Sequence, residues 1–379
     1  MLRSLFRRSD VETRAIQSTP WGPWGSSSAT AAGQSVTSNT ALNLLTVYGC
    51  VNLISDTIAT LPLGVFRKDS SGLPQQVATP RVLEQPNVDT DRTTFVTQVV
   101  SSLLLDGNAY VIAAPSSLMP ERLTTAHPDD VTYRDEQGTT VPYFKGVRPP
   151  PEQWMHIKAL TLPGQYKGLS PVESARQALG LGLAAQEFGA RFFGSGQNPS
   201  GVIEFPGEIS PDQAAIIRQK WSRDHSGLSN SHQPGVLTGG ATWKPISVTP
   251  EQAQFLDTRR FTASEIAAQM FLVDPTMLGI QQQGSSLTYQ NLEQRGIHLA
   301  QYTLMRWIVR LEKAFSAMLP RPQYVKFNLG GLQRADLKTR YEAYAIGLAG
   351  APFLMVDEAR QKEELGPMPT QLIDEELQP

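Results

Sequence analysis

The chain has 379 residues, with 40% apolar and 18% charged residues and a net charge of −2. That length accommodates two or three domains with a sizeable core. The near-neutral balance argues against a general nucleic-acid coat, which would carry a large basic excess. A single cysteine, Cys50, excludes an internal disulfide, and no Cys/His spacing suits zinc. No stretch reaches the ~18 uninterrupted apolar residues of a membrane-spanning helix.

Residues 1–38 are expected to be a flexible N-terminal arm. The start holds Arg3, Arg7 and Arg8, and residues 9–38 are rich in Ser, Thr, Gly and Ala. Trp21 and Trp24 stand out there. They fit either packing on the chain's own body or docking on a neighbouring subunit. Order is expected from Asn39. Leu44, Val47, Tyr48, Val51, Ile54 and Ile58 follow three- and four-residue steps, which predicts an amphipathic helix ending before Leu61-Pro62. Cys50 falls on its apolar stripe, as a buried thiol. Leu63, Val65 and Phe66 predict a strand. A second helix is predicted over about 91–105, then a strand over 109–114, a hairpin through Val131, Tyr133, Val141 and Tyr143, and a strand over 154–160. Residues 39–170 therefore read as a mixed α+β domain.

Ser170-Pro171 opens a predicted helix of about 24 residues, rich in Gly and Ala. Glycine costs about 1 kcal/mol relative to alanine in a helix, and its small size permits close helix packing. Residues 197–248 form a compact insert with a strand at 202–205, a helix from Ser210-Pro211 carrying Trp221, a polar loop holding His225 and His232, and closing strands. Thr249, Pro250 and Gln252 start another helix, expected to run to about Leu272. Arg259 and Arg260 lie on it, about 100° apart, for surface ion pairs or a bridge to a neighbouring subunit. Residues 273–287 interrupt the helical pattern. A long helix follows, with Leu304, Ile308, Leu311 and Phe315 on its buried face, then a strand over 323–329 and helices at about 336–348 and 356–365.

No catalytic constellation is present. The sequence lacks GxxxxGK[ST], GxSxG, HExxH and GxGxxG. His127, His156, His225, His232 and His298 are scattered. A packaging nuclease or NTPase would need clustered acidic ligands or a phosphate loop. No cofactor is expected.

Several motifs, in order, resemble the portal proteins of tailed bacteriophages, the shorter type of long-tailed phages. They are Asp106-Gly107-Asn108-Ala109-Tyr110, Gly168-Leu169-Ser170-Pro171-Val172, Phe192-Phe193 with Gly194 to Val202, Glu265 to Phe271 with Val273-Asp274-Pro275-Thr276-Met277-Leu278-Gly279, and Ser285-Ser286-Leu287-Thr288-Tyr289-Gln290-Asn291-Leu292-Glu293. The last helix departs from the family's Thr-x-Asn-Glu-x-Arg start, with Met355, Asp357, Glu358 and Arg360 in those places.

The resemblance implies an α+β portal fold. Residues 39–170 and 288–335 would form an α/β wing, 171–196 and 249–272 a two-helix stem, 197–248 a small clip, 273–287 a tunnel loop, and 336–379 a short helical crown and tail. It implies a ring, commonly of twelve copies, at one capsid vertex. That ring would pass double-stranded DNA, meet the large terminase and then a head–tail adaptor, and sit among major capsid protein and scaffold, with no membrane involved. The partner surface of the clip would include Trp221, His225 and His232. Gln281, Gln282, Gln283, Gly284, Ser285 and Ser286 would face DNA; without the resemblance a surface loop is the favoured reading of them. They include no Lys or Arg. A head–tail adaptor is the alternative reading, disfavoured by length.

Overall fold

The computed structural model describes residues 30–114, 119–194, 201–204, 206–207, 210–225, 240–245, 259–280, 289–331, 337–350, 352, 354–363 and 366. After the short α1 (Ser38–Ala41), α2 (Leu45–Thr60) buries Val47, Cys50, Val51, Ile54 and Ile58. Leu61 is extended, as a residue before proline must be, and ends the helix. The chain continues through β1 (Leu63–Lys68), β2 (Pro74–Val77), α3 (Arg81–Glu84) and α4 (Arg92–Leu105). The Asp91 carboxylate caps α4 by accepting from Thr94 N at 2.8 Å.

The next strands are β3 (Asn108–Ala114), β4 (Arg122–Ala126), β5 (Val131–Glu136), β6 (Thr139–Phe144) and β7 (Trp154–Lys158). β4 was not expected. It lies antiparallel to β3, pairing Ala113 with Leu123. β7 pairs on the other side of β3, giving the order β4-β3-β7, while β5 and β6 form a separate hairpin. That hairpin lies over a small apolar cluster of Tyr110, Ala126 and Val131.

The expected stem helix opens as foreseen, with Ser170 Oγ accepting from Glu173 N at 3.2 Å. It is interrupted at Ala175, however, into α5 (Pro171–Ser174) and α6 (Arg176–Gly194). The insert contributes β8 (Gly201–Glu204), α7 (Pro211–His225) and β9 (Thr242–Pro245), with β8 and β9 antiparallel. Residues 259–265 (α8) are helical and widen into a π-helical turn over Ile266–Met270. The long helix comprises α9 (Tyr289–His298), a second π-helical turn (Leu299–Leu304) and α10 (Met305–Ser316). Its four expected core residues, Leu304, Ile308, Leu311 and Phe315, are all buried. β10 (Gln323–Phe327) then pairs antiparallel with β1, Val325 opposite Val65, in the sheet β10-β1-β2. α11 (Leu337–Leu348) and α12 (Val356–Lys362) follow. At α12 the charged half of the family's cap operates, for Glu358 Oε2 accepts from Met355 N at 2.9 Å.

One large core joins α2, α4, β1, β3, α6, the π-helical turns, α10 and β10. The arm reading needs correction. Residues 30–38 are packed: Thr30 and Val36 are buried, Ala31 N donates to Gln177 Oε1 at 3.1 Å, and Gln34 Nε2 donates to Glu187 Oε2 at 2.5 Å. A Cβ at Gly180 would stand 2.5 Å from Thr30 Oγ1, so glycine at that position lets the segment lie directly on α6. Polar composition hid this contact, because the segment is held by side-chain amides and one buried Thr rather than by an apolar stripe.

Candidate functional site

The residues flanking the expected channel loop are firmly held. Leu272 has a left-handed backbone (φ 57) where the π-helical turn ends, and Val273 N closes that turn by donating to Ala267 O at 2.9 Å. A bulky residue at positive φ is uncommon; here the Leu272 carbonyl accepts from Thr303 Oγ1 on the second π-helical turn. Asp274 Oδ1 accepts from Thr276 N at 2.9 Å and from Thr276 Oγ1 at 2.7 Å, capping a 3-10 turn over Pro275–Leu278. Its other oxygen meets Arg295 Nε at 3.2 Å, with Arg295 largely buried. Partial burial pushes the Asp274 carboxyl up, but the Thr276 hydrogen bonds and the Arg295 charge outweigh it and hold the group below its usual range. Met277 and Leu278 pack on the core. The motif Val273 to Gly279 thus forms a buttress, and Arg295 ties it to α9, the helix that begins at Tyr289. Gln281, Gln282, Gln283, Gly284, Ser285 and Ser286 lie outside the described residues.

Arg259 and Arg260 are both exposed on α8. Trp221 and His225 belong to α7, while His232 lies outside the described residues. The first half of α7 is solvent-facing, and Ile216 is exposed. The Val273–Gly279 buttress, the α8 arginines and α7 are therefore three separate places in the chain. Among the described residues no group of three or more His, Cys, Asp and Glu could hold a metal ion, and no helix is long and apolar enough to cross a membrane.

Sequence reasoning missed the junction that joins two of the quoted motifs. Gly107 has φ +77, and a Cβ there would stand 2.0 Å from Leu169 O. A Cβ on Gly168 would stand 2.3 Å from Gly107 O. The two backbones cross in contact, so both positions require glycine. Asn108 clamps the crossing: its Oδ1 accepts from Gly168 N at 2.7 Å and its Nδ2 donates to Gly168 O at 2.9 Å. Ala159 N donates to Gly107 O at 2.8 Å, and Ser170 Oγ donates to Leu105 O at 2.9 Å.

Beside this crossing lies His156, with Nε2 2.9 Å from Asn108 Oδ1 and Nδ1 3.3 Å from Tyr133 Oη. Tyr133 Oη donates to Tyr110 Oη at 3.0 Å. The Lys158 ammonium sits 4.0 Å from the Tyr166 ring centre. Burial, reinforced by Lys158 and Lys167, pushes His156 down to about 3, so it is neutral near pH 7. Burial raises both Tyr110 and Tyr133. Burial also raises Asp106, opposed by its Asn108 hydrogen bond. The polar groups of the cluster are partnered with one another. The residues Tyr110, Tyr133 and His156 do not signal one another in sequence, since three different strands carry them.

A mixed helix-and-sheet fold of this kind is also found in solved portal protein structures. The family model described as phage portal protein matches residues 45–364. The probable portal protein of Streptomyces phage phiC31 is 31% identical, covering 93% of this chain and 82% of that relative. The chain belongs to the phage portal protein family. Among solved structures, the neck of a native gene transfer agent particle computed with C12 symmetry matches with TM-score 0.56, 22% identity, and coverage of 90% of this chain and 98% of that one. The crystal structure of an HK97 family phage portal protein from Corynebacterium diphtheriae matches with TM-score 0.57, 16% identity, and coverage of 80% and 99%.

Proposed function

We propose that copies of this chain close into a ring, of twelve subunits, at one capsid vertex, and that residues 281–286 face the DNA that passes through it. Membership of the portal family and likeness to a particle neck with C12 symmetry support the ring. The observation that carries the channel is the buttress. A segment without Lys or Arg begins and ends on elements cross-tied by the Asp274–Arg295 ion pair.

The physics favours such a loop. A channel rich in Lys and Arg would neutralise phosphates, release counterions and bind DNA tightly. That binding would oppose sliding. Amide and hydroxyl side chains contact the phosphate backbone without reading sequence. A loop touching a moving polymer also needs fixed feet, and its buttress is fastened to the core.

On this reading, 39–170 and 288–335 form the wing, 171–196 and 249–272 the stem, 197–248 the clip, and 336–379 the crown and tail. Trp221, His225 and His232 belong to the clip surface that receives the large terminase and later the head–tail adaptor. Major capsid protein and scaffold surround the wing. Arg259 and Arg260 face a neighbouring stem. The reading assigns no catalysis, cofactor or membrane role to the chain.

The test is replacement of Gln281, Gln282 and Gln283 by lysine in rings built into packaging-competent particles. DNA packaging slows or stalls while rings remain intact by electron microscopy. Unchanged packaging with intact rings overturns the placement of this loop in the channel.

A further inference from the structure

Two helical stripes stand exposed among the described residues; their side-chain contacts there are a hydrogen bond from Thr97 Oγ1 to Asp56 at 3.4 Å and the His298 ring beside Tyr302 on the same helix. On α2, Leu45 is 80% and Tyr48 58% exposed, followed by exposed Asn52 and Asp56. On the long helix, Tyr302 is 60%, Met305 38% and Val309 51% exposed, followed by exposed Lys313. The steps are identical, three, four and four residues in both cases. Each stripe runs along one side of its helix. Both begin apolar and end charged, with opposite signs.

Each stripe faces away from the buried side of its helix. α2 buries Val47, Ile54 and Ile58 on the side opposite its stripe, and the long helix buries Leu304, Leu311 and Phe315 opposite its own. α2 packs against the π-helical turn that opens this part of the long helix, and all six buried residues share one core. Each stripe therefore faces outward from that shared core. Two different, complementary patches on one subunit make a head-to-tail interface, which gives a ring where the rotation between copies closes.

We infer that these stripes are the two halves of a subunit contact: α2 of one copy lies parallel against the Tyr302–Lys313 stripe of the next. The register sets Leu45 by Tyr302, Tyr48 by Met305, Asn52 by Val309, and Asp56 by Lys313. The apolar end supplies burial, because exposed apolar surface of this kind gains free energy when removed from water. The Asp56–Lys313 pair fixes direction, since the antiparallel arrangement would set each charge against an apolar end. This inference rests on the ring reading above and names the surfaces that would build it.

The experiment uses the full chain with paired cysteines at exposed positions, Tyr48→Cys with Met305→Cys, under mild oxidation. Wild-type protein is first scored for rings by electron microscopy. The expected result is a ladder of disulfide-linked multimers from the cysteine pair. The mismatched pair Asp56→Cys with Tyr302→Cys gives none. A second measurement reverses charges: Asp56→Lys alone lowers the ring fraction several-fold, and Asp56→Lys with Lys313→Asp restores it. Rings that form normally with no ladder and no response to charge reversal overturn the stripe pairing while leaving the ring intact. Wild-type chains that never form rings overturn the ring reading itself, and the pairing with it.

Discussion

Replacing Gly168 by alanine tests the crossing of the Gly107 and Gly168 backbones. The added Cβ would stand 2.3 Å from Gly107 O and 2.9 Å from Ala159 N, and both are backbone atoms that no rotamer change can move. Carbon–oxygen contacts settle near 3.3 Å or beyond, so the strands must separate by about 1 Å. That separation strains the Asn108 clamp at 2.7 and 2.9 Å and the Ala159–Gly107 bond at 2.8 Å. Overpacking of this kind costs about 1–3 kcal/mol, and each weakened hydrogen bond adds about 1 kcal/mol. Alanine recovers roughly 0.4–1 kcal/mol by restricting the unfolded chain. With three bonds strained, the net loss is roughly 3–6 kcal/mol. In urea unfolding followed by far-ultraviolet circular dichroism, with a slope near 3 kcal/mol/M, the midpoint falls by about 1–2 M. Gly296→Ala is the control: that helical position has open space at Cβ, so the better helix former raises the midpoint slightly. A Gly168→Ala midpoint equal to wild type would show that the crossing is not tightly set.

The remaining predictions use the same logic. Gly180→Ala improves helix propensity by about 1 kcal/mol but drives Cβ into Thr30; the expected result is little change in unfolding midpoint with faster proteolysis over 30–38, read by mass spectrometry. Cys50, pushed up to about 12 by burial, remains a buried thiol and resists alkylation in native protein, labelling only as urea unfolds it. His156 is pushed down to about 3 from 6.5, so the unfolded chain binds a proton that the folded chain refuses across that window. Stability therefore falls as pH drops from 6.5 toward 3, and His156→Gln makes the acid side of the profile shallower. The Asp274 carboxyl lies below its ordinary value of 3.8, so its contribution is present above that pH and lost as pH falls through the depressed value; Asp274→Asn lowers the neutral-pH midpoint and flattens the profile below pH 4.

The helices were legible because each carries its own evidence. The α2 stripe, the Ser170-Pro171 start and the α10 core face are local patterns with a period near 3.6. What stayed hidden depends on distant partners. β4 is short and carries two threonines, and it becomes a strand by pairing with β3. The crossing of Gly107 and Gly168 joins residues 61 apart, and either glycine alone reads as a turn residue. His156 looked scattered because its burial arises where β7, β3 and β5 meet. The two π-helical turns have no stop signal in sequence; the cross-tie from Thr303 to Leu272 accompanies them.

The β1–β10 pairing sets a schedule for synthesis. Leu63 to Arg67 find their partners only when Gln323 to Phe327 have been made, some 260 residues later. At about 5–20 residues per second, that wait is on the order of 13–50 s. Throughout it, one edge of β1 has a row of backbone groups with no native strand beside it. β2, a few residues downstream, covers the other edge early. The nascent chain therefore carries an open template for strand pairing while neighbouring polysomes produce identical β10 segments. Exchange of β10 between copies before assembly is the hazard this topology creates, and a chaperone that shields β1 would act during that interval.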